Sequence, residues 1–213
     1  GPAYAELQCL SNFSFLEGAS HPDELVIQAA ALGHAAIGIA DRNSLAGVVR
    51  AHTAAKRHGI KLLVGARLDL ADGSPVIAYP MDKPAYARLS RLITLGRRRA
   101  EKGSCLLYRE DLLEYGAGMV LILLPPAGDG AENFDGEVAA YRSAFPGNVY
   151  LAVSHGLSGD DRARIDTVAG MAERAGVPMV ATNDVLMHAP ARRPLADVLT
   201  CIREKCVIDD AGW

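Results

Sequence analysis

The side chains with the chemistry of metal ligands follow short apolar runs that are typical of buried strands. Asp41, His155 and the pair Asn183 and Asp184 each come directly after such a run. Because functional residues of parallel α/β folds gather where the strands end, we expect these groups to share one rim of a sheet. Carboxylates and imidazoles bind zinc or a hard divalent ion, usually with three or more protein ligands. His188, four residues after Asp184, is a further candidate for that rim.

The same residues also have a purely structural interpretation. Asp is a favoured helix-capping residue, so Asp41 and Asp184 fit as caps of the helices that follow them. His155, directly before Gly156, is typical of an ordinary loop. On residue types alone the structural interpretation is favoured, and metal binding is the alternative.

A basic run is the second feature with chemical potential. It includes three consecutive arginines, Arg97, Arg98 and Arg99, at the end of a predicted helix, where cations also suit the helix dipole. Its functional interpretation is contact with DNA phosphates or with a larger protein body. No aromatic side chains interleave with it, so the run does not predict stacking on single-stranded bases. The cations of the run are Arg88, Arg91, Arg97, Arg98, Arg99 and Lys102.

Predicted strands and helices alternate along the chain. The predicted strands cover residues 4–10, 35–40, 60–70, 75–79, 119–124, 149–154 and 179–182. The predicted helices lie between a Ser20 cap and Gly33 and over residues 44–58, 84–99, 110–115, 132–145, 160–175 and 194–204. This order predicts an α/β protein with a parallel sheet covered by helices, either a compact β/α barrel or an open doubly wound sheet. No glycine-rich phosphate loop follows any strand, which argues against nucleotide binding by that route.

Composition narrows the class of protein. With 50% hydrophobic and 22% charged residues, the chain is globular rather than disordered. A net charge of −3 excludes a global cationic field for nucleic acid. The longest apolar stretch is far shorter than the ~20 residues of a membrane span, and four cysteines without a CxxC pair indicate reduced thiols in the cytoplasm. Residues 1–2 (Gly-Pro) resemble a cleavage scar, and residues 3–213 are predicted to form a single domain cut from a longer protein.

Several segments in order resemble one known family. Residues 10–18 (LSNFSFLEG), 41–47 and 181–185 resemble the N-terminal PHP domain of bacterial C-family DNA polymerases, and residues 92–103 (LITLGRRRAEKG) resemble its error-prone, translesion branch. The resemblance runs from about residue 4 to residue 210. It implies a TIM-like, distorted (β/α)7 barrel of the PHP type and a parent chain far longer than this one.

The family also implies a cleft for up to three metal ions that hydrolyse phosphoesters, and here the sequence departs from the family pattern. The resemblance places Asp41, His155 and Asp184 at retained ligand positions. The substituted ligand positions are Gln8, Leu10, Arg42, Arg67 and Leu186. Leucine cannot coordinate, and arginine stays protonated and repels a dication. We therefore expect no catalytic residues and no metal in this domain, with Arg42 and Arg67 replacing the metal's charge by pairing with Asp41 and Asp184.

These departures lead to two functional hypotheses. In the first, the chain is a non-catalytic scaffold within an error-prone DNA polymerase that acts in DNA synthesis and damage tolerance, and Mg²⁺ belongs to the parent's polymerase domain. In the second, it is an active phosphoesterase or 3′-5′ exonuclease with Zn or Mn at Asp41, His155, Asp184 and His188. The expected partners are the remainder of the polymerase chain, DNA through the parent, a sliding clamp and mutagenesis-complex proteins, but not a membrane.

Overall fold

The computed structural model describes residues 3–126, 133–157 and 159–210, and the chain divides into two compact units. Unit 1 combines the residues up to Val64 with those from Asp184 onward, and unit 2 is Gly65–Asn183. The elements in chain order are β1 (Ala5–Cys9), α1 (Pro22–Ala31), β2 (Ala36–Arg42), α2 (Val48–His58), β3 (Lys61–Leu68), β4 (Val76–Pro80), α3 (Lys83–Arg99), α4 (Arg109–Tyr115), β5 (Met119–Leu123), α5 (Phe134–Ala144), β6 (Val149–Ser154), α6 (Asp161–Ala175), β7 (Met179–Thr182) and α7 (Arg193–Glu204). The proposed scar at residues 1–2 lies outside the described residues, and the single domain over residues 3–213 stays a prediction.

Unit 1 is built on the parallel pair β1 and β2, which align Ala5 with Ala36 and Cys9 with Ile39. Its core lies between these strands and the helices α1 and α2, because the apolar side chains of both helices face the strands. The segment after Asp184 joins this unit through backbone hydrogen bonds, from Leu10 N to the Val185 carbonyl (2.9 Å) and from Val185 N to the Gln8 carbonyl (2.8 Å). Residues close to β1 are thereby tied to residues far along the chain.

Unit 2 contains both antiparallel and parallel strand pairs. β4 runs antiparallel to β3 and to β5, whereas the pairs β5–β6 and β6–β7 are parallel. The predicted α/β class and the seven strands are confirmed. The predicted parallel sheet is not parallel throughout: β4 is antiparallel, because a short turn after β3 reverses the chain without the helix that a parallel crossover needs.

Two local predictions are also wrong. The second helix begins at Val48 rather than at residue 44, because Ser44 and Ala46 belong to a turn in which Ala46 N donates to Ser44 Oγ (3.2 Å). Ser20 does not cap α1: the helix begins at Pro22, and His21 N donates to Glu24 Oε2 (2.8 Å). Ser20 Oγ instead forms a hydrogen bond with the ring of His188 (2.8 Å).

The helix α7 is attached to unit 1 by side chains at its two ends. Arg192, just before the helix, pairs with Glu24, and Arg203 donates to the Leu16 carbonyl (2.9 Å). Of the twelve residues of α7, all of them described, Ala196 alone is buried. None of the helices in the described ranges combines the length and the apolar character that crossing a bilayer requires.

Candidate functional site

Asp41, at the end of β2, is buried and accepts hydrogen bonds from three neutral donors. Its side chain is 1% exposed. Oδ1 accepts hydrogen bonds from Ser11 N (2.7 Å) and Ser14 Oγ (2.8 Å), and Oδ2 accepts one from Ser11 Oγ (2.8 Å). Burial raises the pKa of Asp41 above its usual range, although the hydrogen bonds from Ser11 and Ser14 act in the opposite direction.

The loop that carries both serines is shaped by close backbone contacts. Ser14 N donates to the Ser11 carbonyl (2.9 Å), which turns both hydroxyls towards Asp41. At Gly18 a Cβ would lie 2.1 Å from the Ser11 carbonyl oxygen, and at Gly47 a Cβ would lie 2.8 Å from Asp41 Oδ2. Both positions therefore need glycine for the loop and the carboxylate to be this close.

Gln8 holds Asp184, the second acidic candidate in unit 1. The buried Gln8 side chain donates from Nε2 to Asp184 Oδ1 (2.7 Å). Asp184 has a left-handed backbone (φ 49°), and the next residue, Val185, bonds to the Gln8 carbonyl. Leu10 is buried, and the Leu186 carbonyl accepts from Ala19 N (2.7 Å). The side-chain amide of Gln8 thus directs an N–H group at one oxygen of Asp184.

The arginines at the substituted positions each have an acidic partner. Arg42 Nη1 lies 2.5 Å from Glu17 Oε1, and Arg67 Nε, in unit 2, lies 3.0 Å from Asp69 Oδ1. Within the described residues, Asp41 has no arginine partner. The hypothesis that an arginine neutralises Asp41 is wrong, because the serine hydroxyls and one backbone amide occupy its oxygens.

His188 is not a free imidazole, because it forms two hydrogen bonds with Ser20. We call this pair of contacts the clip between Ser20 and His188. Its Nδ1 lies 2.8 Å from Ser20 Oγ and 3.9 Å from Glu24 Oε2, and its backbone N donates to Ser20 Oγ (2.9 Å). Glu24 also binds Arg192. Although burial acts in the opposite direction, the His21 amide and Arg192 hold the pKa of Glu24 below its usual range. These contacts fix the segment after β7 onto the start of α1.

His155 lies in unit 2, after β6, and is exposed. Its Nδ1 is 3.5 Å from Asp161 Oδ2. Asp161 also accepts from Gly156 N (2.7 Å) and from Arg164 Nη2 (2.9 Å). Asp161 therefore organises the loop before α6, and His155 is one of the side chains close to it. Asn183 is exposed as well.

Cys9 lies between Gln8 and Leu10, and its thiol has low reactivity. Burial, followed by the negative charges of Glu6, Asp41 and Asp184, raises the pKa of the Cys9 thiol well above its usual range. A thiol kept protonated in this way is a poor nucleophile at neutral pH.

The donor set around Asp41 and Asp184 does not fit a divalent metal ion. Three donors already contact the two oxygens of Asp41, and the amide of Gln8 offers a hydrogen where a metal needs a lone pair. The leucine side chains at positions 10 and 186 offer no lone pair. Within residues 3–126, 133–157 and 159–210, no three His, Cys, Asp or Glu side chains are grouped so that they could hold a metal.

The arginines of the basic run lie on α3 and have different roles. Arg88 donates to the Ala117 carbonyl, and Arg99 Nη1 lies 2.5 Å from Asp111 Oδ2 with its guanidinium 5.9 Å from the centre of the Tyr108 ring. Arg91 and Arg98, seven residues apart, line an open groove of about 660 Å³. In the described part of the chain, neither of these two has a hydrogen-bond or ion-pair partner.

Asp111 at the start of α4 was not singled out from the sequence. Although burial opposes it, the hydrogen bonds from Arg99 and from Tyr108 N (2.9 Å) hold the pKa of Asp111 below its usual range. The sequence signal was an acidic residue three positions after the helix cap. The serine partners of Asp41 were also missed, and their signal was the Ser-x-x-Ser spacing at positions 11 and 14.

Comparison with known proteins gives one family and a consistent set of relatives. The sequence profile of the PHP domain matches residues 6–154. The chain is 48% identical over 213 residues to an error-prone DNA polymerase of Caulobacter vibrioides, covering 100% of this chain and 20% of the relative. It is also 48% identical over 212 residues to error-prone DNA polymerase 1 of Agrobacterium fabrum, covering 100% and 19%. The chain thus spans about one fifth of the length of these curated relatives.

Solved structures share the fold at low sequence identity. One is a Bifidobacterium adolescentis protein with the provisional name of metal-dependent phosphoesterase, at TM-score 0.64 and 20% identity, covering 88% of this chain and 89% of that one. Another is an amidohydrolase from Chromobacterium violaceum with bound sulfate and no metal, at TM-score 0.64 and 20% identity, covering 87% and 88%. At this identity the likeness concerns the fold alone.

Proposed function

Because this chain belongs to the PHP domain family, we propose that it is the PHP domain of an error-prone DNA polymerase and serves there as a structural domain without hydrolytic activity. Its curated relatives are about five times as long. Nucleotide transfer, with its Mg²⁺, belongs in this proposal to the rest of such a chain. The proposal includes a cytoplasmic location, a role in DNA damage tolerance, and contacts of the parent with a sliding clamp and mutagenesis-complex proteins.

The state of Asp41 is the observation that carries this proposal. A carboxylate that binds a catalytic metal must offer a lone pair to the ion, and three of the about four lone-pair positions of Asp41 already accept hydrogen bonds from Ser11 and Ser14. Water activation by a metal needs several such ligands together. The substitutions at positions 8, 10, 42 and 186 remove the other family ligands of unit 1.

The test is a hydrolysis assay on the full-length protein after removal of metals with a chelator. Manganese or zinc is added back, and release of the 3′-terminal nucleotide from labelled DNA and hydrolysis of bis(p-nitrophenyl) phosphate are measured. We expect rates equal to those of the double variant Asp41→Asn/Asp184→Asn. A metal-dependent rate in the wild type that this variant lacks would favour the phosphoesterase or exonuclease alternative.

The groove on α3 favours a second role, contact with DNA phosphates. The support is that Arg91 and Arg98 face an open groove and have no acidic partner among the described residues. Arg99 pairs with Asp111, so within the arginine cluster proposed from the sequence at positions 97, 98 and 99 the argument rests on Arg98, with Arg91 added from the groove.

Salt dependence of primer–template binding by the full-length protein tests this second role. Each phosphate contact changes the slope of log K against log salt by about 0.9. The variant Arg91→Gln/Arg98→Gln should therefore reduce the slope by about 2. The matched variant Lys56→Gln/Arg57→Gln removes two exposed charges of α2 and should leave the slope unchanged. Equal slopes for all three proteins would contradict the DNA contact.

A further inference from the structure

The helix α7 turns its apolar face to solvent. Leu195, Val198, Leu199 and Ile202 recur at the spacing of one helix face, and we call them the α7 stripe. Leu195, Val198 and Ile202 are 41%, 47% and 56% exposed. In an ordinary amphipathic helix of a globular protein such a face lies against the core. Here the buried position, Ala196, lies beside the stripe rather than in it.

The apolar surface continues past the end of the helix. Lys205 has a left-handed backbone (φ 57°) and ends α7, and Val207 and Ile208 beyond it are exposed. On the other side, Arg203 donates to the Leu16 carbonyl, next to Phe15, which is 82% exposed. Leaving this much apolar surface in water opposes folding of the isolated segment, and contiguous exposed apolar patches mark interaction sites.

We infer that the α7 stripe packs against the polymerase portion of the same polypeptide. This inference rests on the proposed function. The curated relatives carry about four fifths of their length outside the region matched by this chain, so in a parent of that length a large partner would be covalently attached. Linkage makes a small patch sufficient, because the tethered partner is present at high effective concentration.

The size of the patch favours this occupant over a second copy of the chain. The exposed side chains of the stripe offer on the order of a few hundred Å² of apolar surface. Each partner in a stable dimer buries about 800 Å². Contacts between domains of one chain are commonly smaller than stable dimer interfaces, because the domains cannot diffuse apart.

Thiol labelling in the full-length protein tests the inference directly. Val198→Cys and Val49→Cys place a cysteine at two exposed valines of unit 1, the second on α2 with 76% exposure. Both variants are labelled with iodoacetamide and the modified peptides are quantified by mass spectrometry. If the polymerase portion covers the stripe, the thiol at position 198 should react at least tenfold more slowly than the thiol at position 49. Similar rates would overturn the inference.

Dilution separates the possible occupants. Protection by the same polypeptide is independent of protein concentration, whereas protection that disappears on dilution would identify a second copy and overturn the inference. A purified protein with an unprotected position 198 would likewise overturn it and would leave the stripe open for a separate protein. These readouts do not depend on hydrolysis or DNA synthesis. The proposed function would instead be contradicted by metal-dependent hydrolysis or by the absence of polymerase activity.

A stability measurement supports the labelling. The variant Leu195→Ser/Val198→Ser/Ile202→Ser should lower the Tm of the full-length protein. The control Ile27→Ser/Leu32→Ser/Val49→Ser removes the same three residue types from exposed positions on α1, directly after α1 and on α2, and should change the Tm much less. Equal Tm changes would contradict a docked stripe.

Discussion

Asp41 in unit 1 and Asp111 in unit 2 are both buried carboxyl groups, yet their pKa values are shifted in opposite directions. Asp41 is held by two serines and has a raised pKa, because neutral donors only partly offset the cost of burying its charge. Asp111 is held by Arg99 and by a backbone amide, and its pKa is lowered although burial opposes this. The charge compensation that the sequence suggested for Asp41 is found at Asp111 instead.

The difference shows that burial of an acid does not by itself require a cation. A carboxyl group that stays largely protonated, or that is surrounded by hydroxyl and amide donors, can be accommodated without one. The retained acid at position 41 is then explained by the loop it organises. At Asp111 the acid joins the end of α3 to the start of α4, where Arg99 is still partly in solvent.

Asp41→Ala should give the largest effect. It leaves Ser11 N and the hydroxyls of Ser11 and Ser14 without their acceptor in a buried place, and each unmet buried group costs about 1–3 kcal/mol. We expect the free energy of unfolding, measured with urea and circular dichroism, to fall by about 3 kcal/mol or more.

Asp41→Asn is the matched control for this substitution. The amide keeps an oxygen for two of the three donors and can donate to Ser11 Oγ, so the expected loss is under about 1 kcal/mol. An equally large loss for Asn would mean that the negative charge itself is needed, which would contradict the account of Asp41 given above.

Asp111→Ala should have the next largest effect, a loss of about 2 kcal/mol, because hydrogen bonds that involve a charged group contribute about 1.5–3 kcal/mol. It removes the acceptor of both Arg99 and Tyr108 N. The neighbouring Glu110→Ala changes an exposed acid in the same first turn and should cost well under half as much in the same urea experiment. Equal losses would show that only the helix dipole is involved.

The pH dependence of stability should have opposite signs at the two acids. A raised pKa in the folded state gives stability that is present below the unfolded pKa, about 4, and is lost as pH rises through the folded value. A lowered pKa gives stability that is present above about pH 4 and is lost as pH falls through the folded value.

The free energy of unfolding of the wild type relative to Asp41→Asn should therefore decrease with rising pH, and relative to Asp111→Asn it should increase. Urea titrations at several pH values between about 3 and 7 measure both differences. Slopes of the same sign would refute the contrast.

Arg42→Gln should have the smallest effect. The side chain is 45% exposed and pairs with Glu17 rather than with Asp41, and exposed ion pairs contribute about 0–1 kcal/mol. The backbone N of Arg42 still donates to Ser14 Oγ in the variant. A loss comparable to that of Asp41→Ala would mean that the arginine does stabilise the buried acid.

The order of strands and helices could be predicted from the sequence. β6 and β7 match their predicted ranges residue for residue, because turn residues bound both apolar runs. The start of α2 could not be predicted, since Ser44 is a good cap but its hydroxyl is used by the turn at Ala46. The cap of α1 could not be predicted either, because the partner of Ser20 is His188, far away in the sequence.

The candidate site was predictable in residue types but not in contacts. The family resemblance is confirmed. Asp41 and Asp184 both belong to unit 1, and each lies near the end of a strand, as predicted. Whether an acid pairs with an arginine, a serine or an amide depends on the tertiary path of residues 11–20, which spacing alone does not encode. The contact between Gln8 and Asp184 likewise arises from a backbone pairing between distant segments.

The clip between Ser20 and His188 has a consequence for the order of folding. Unit 2 is one continuous stretch, so all of its contacts can form as soon as that stretch has left the ribosome. Unit 1 must wait until the residues after Asp184 have been made, and until then the surface of β1 that Val185 covers stays open. We expect the nascent chain to complete its middle before its beginning, with closure of the longest loop as the slow step.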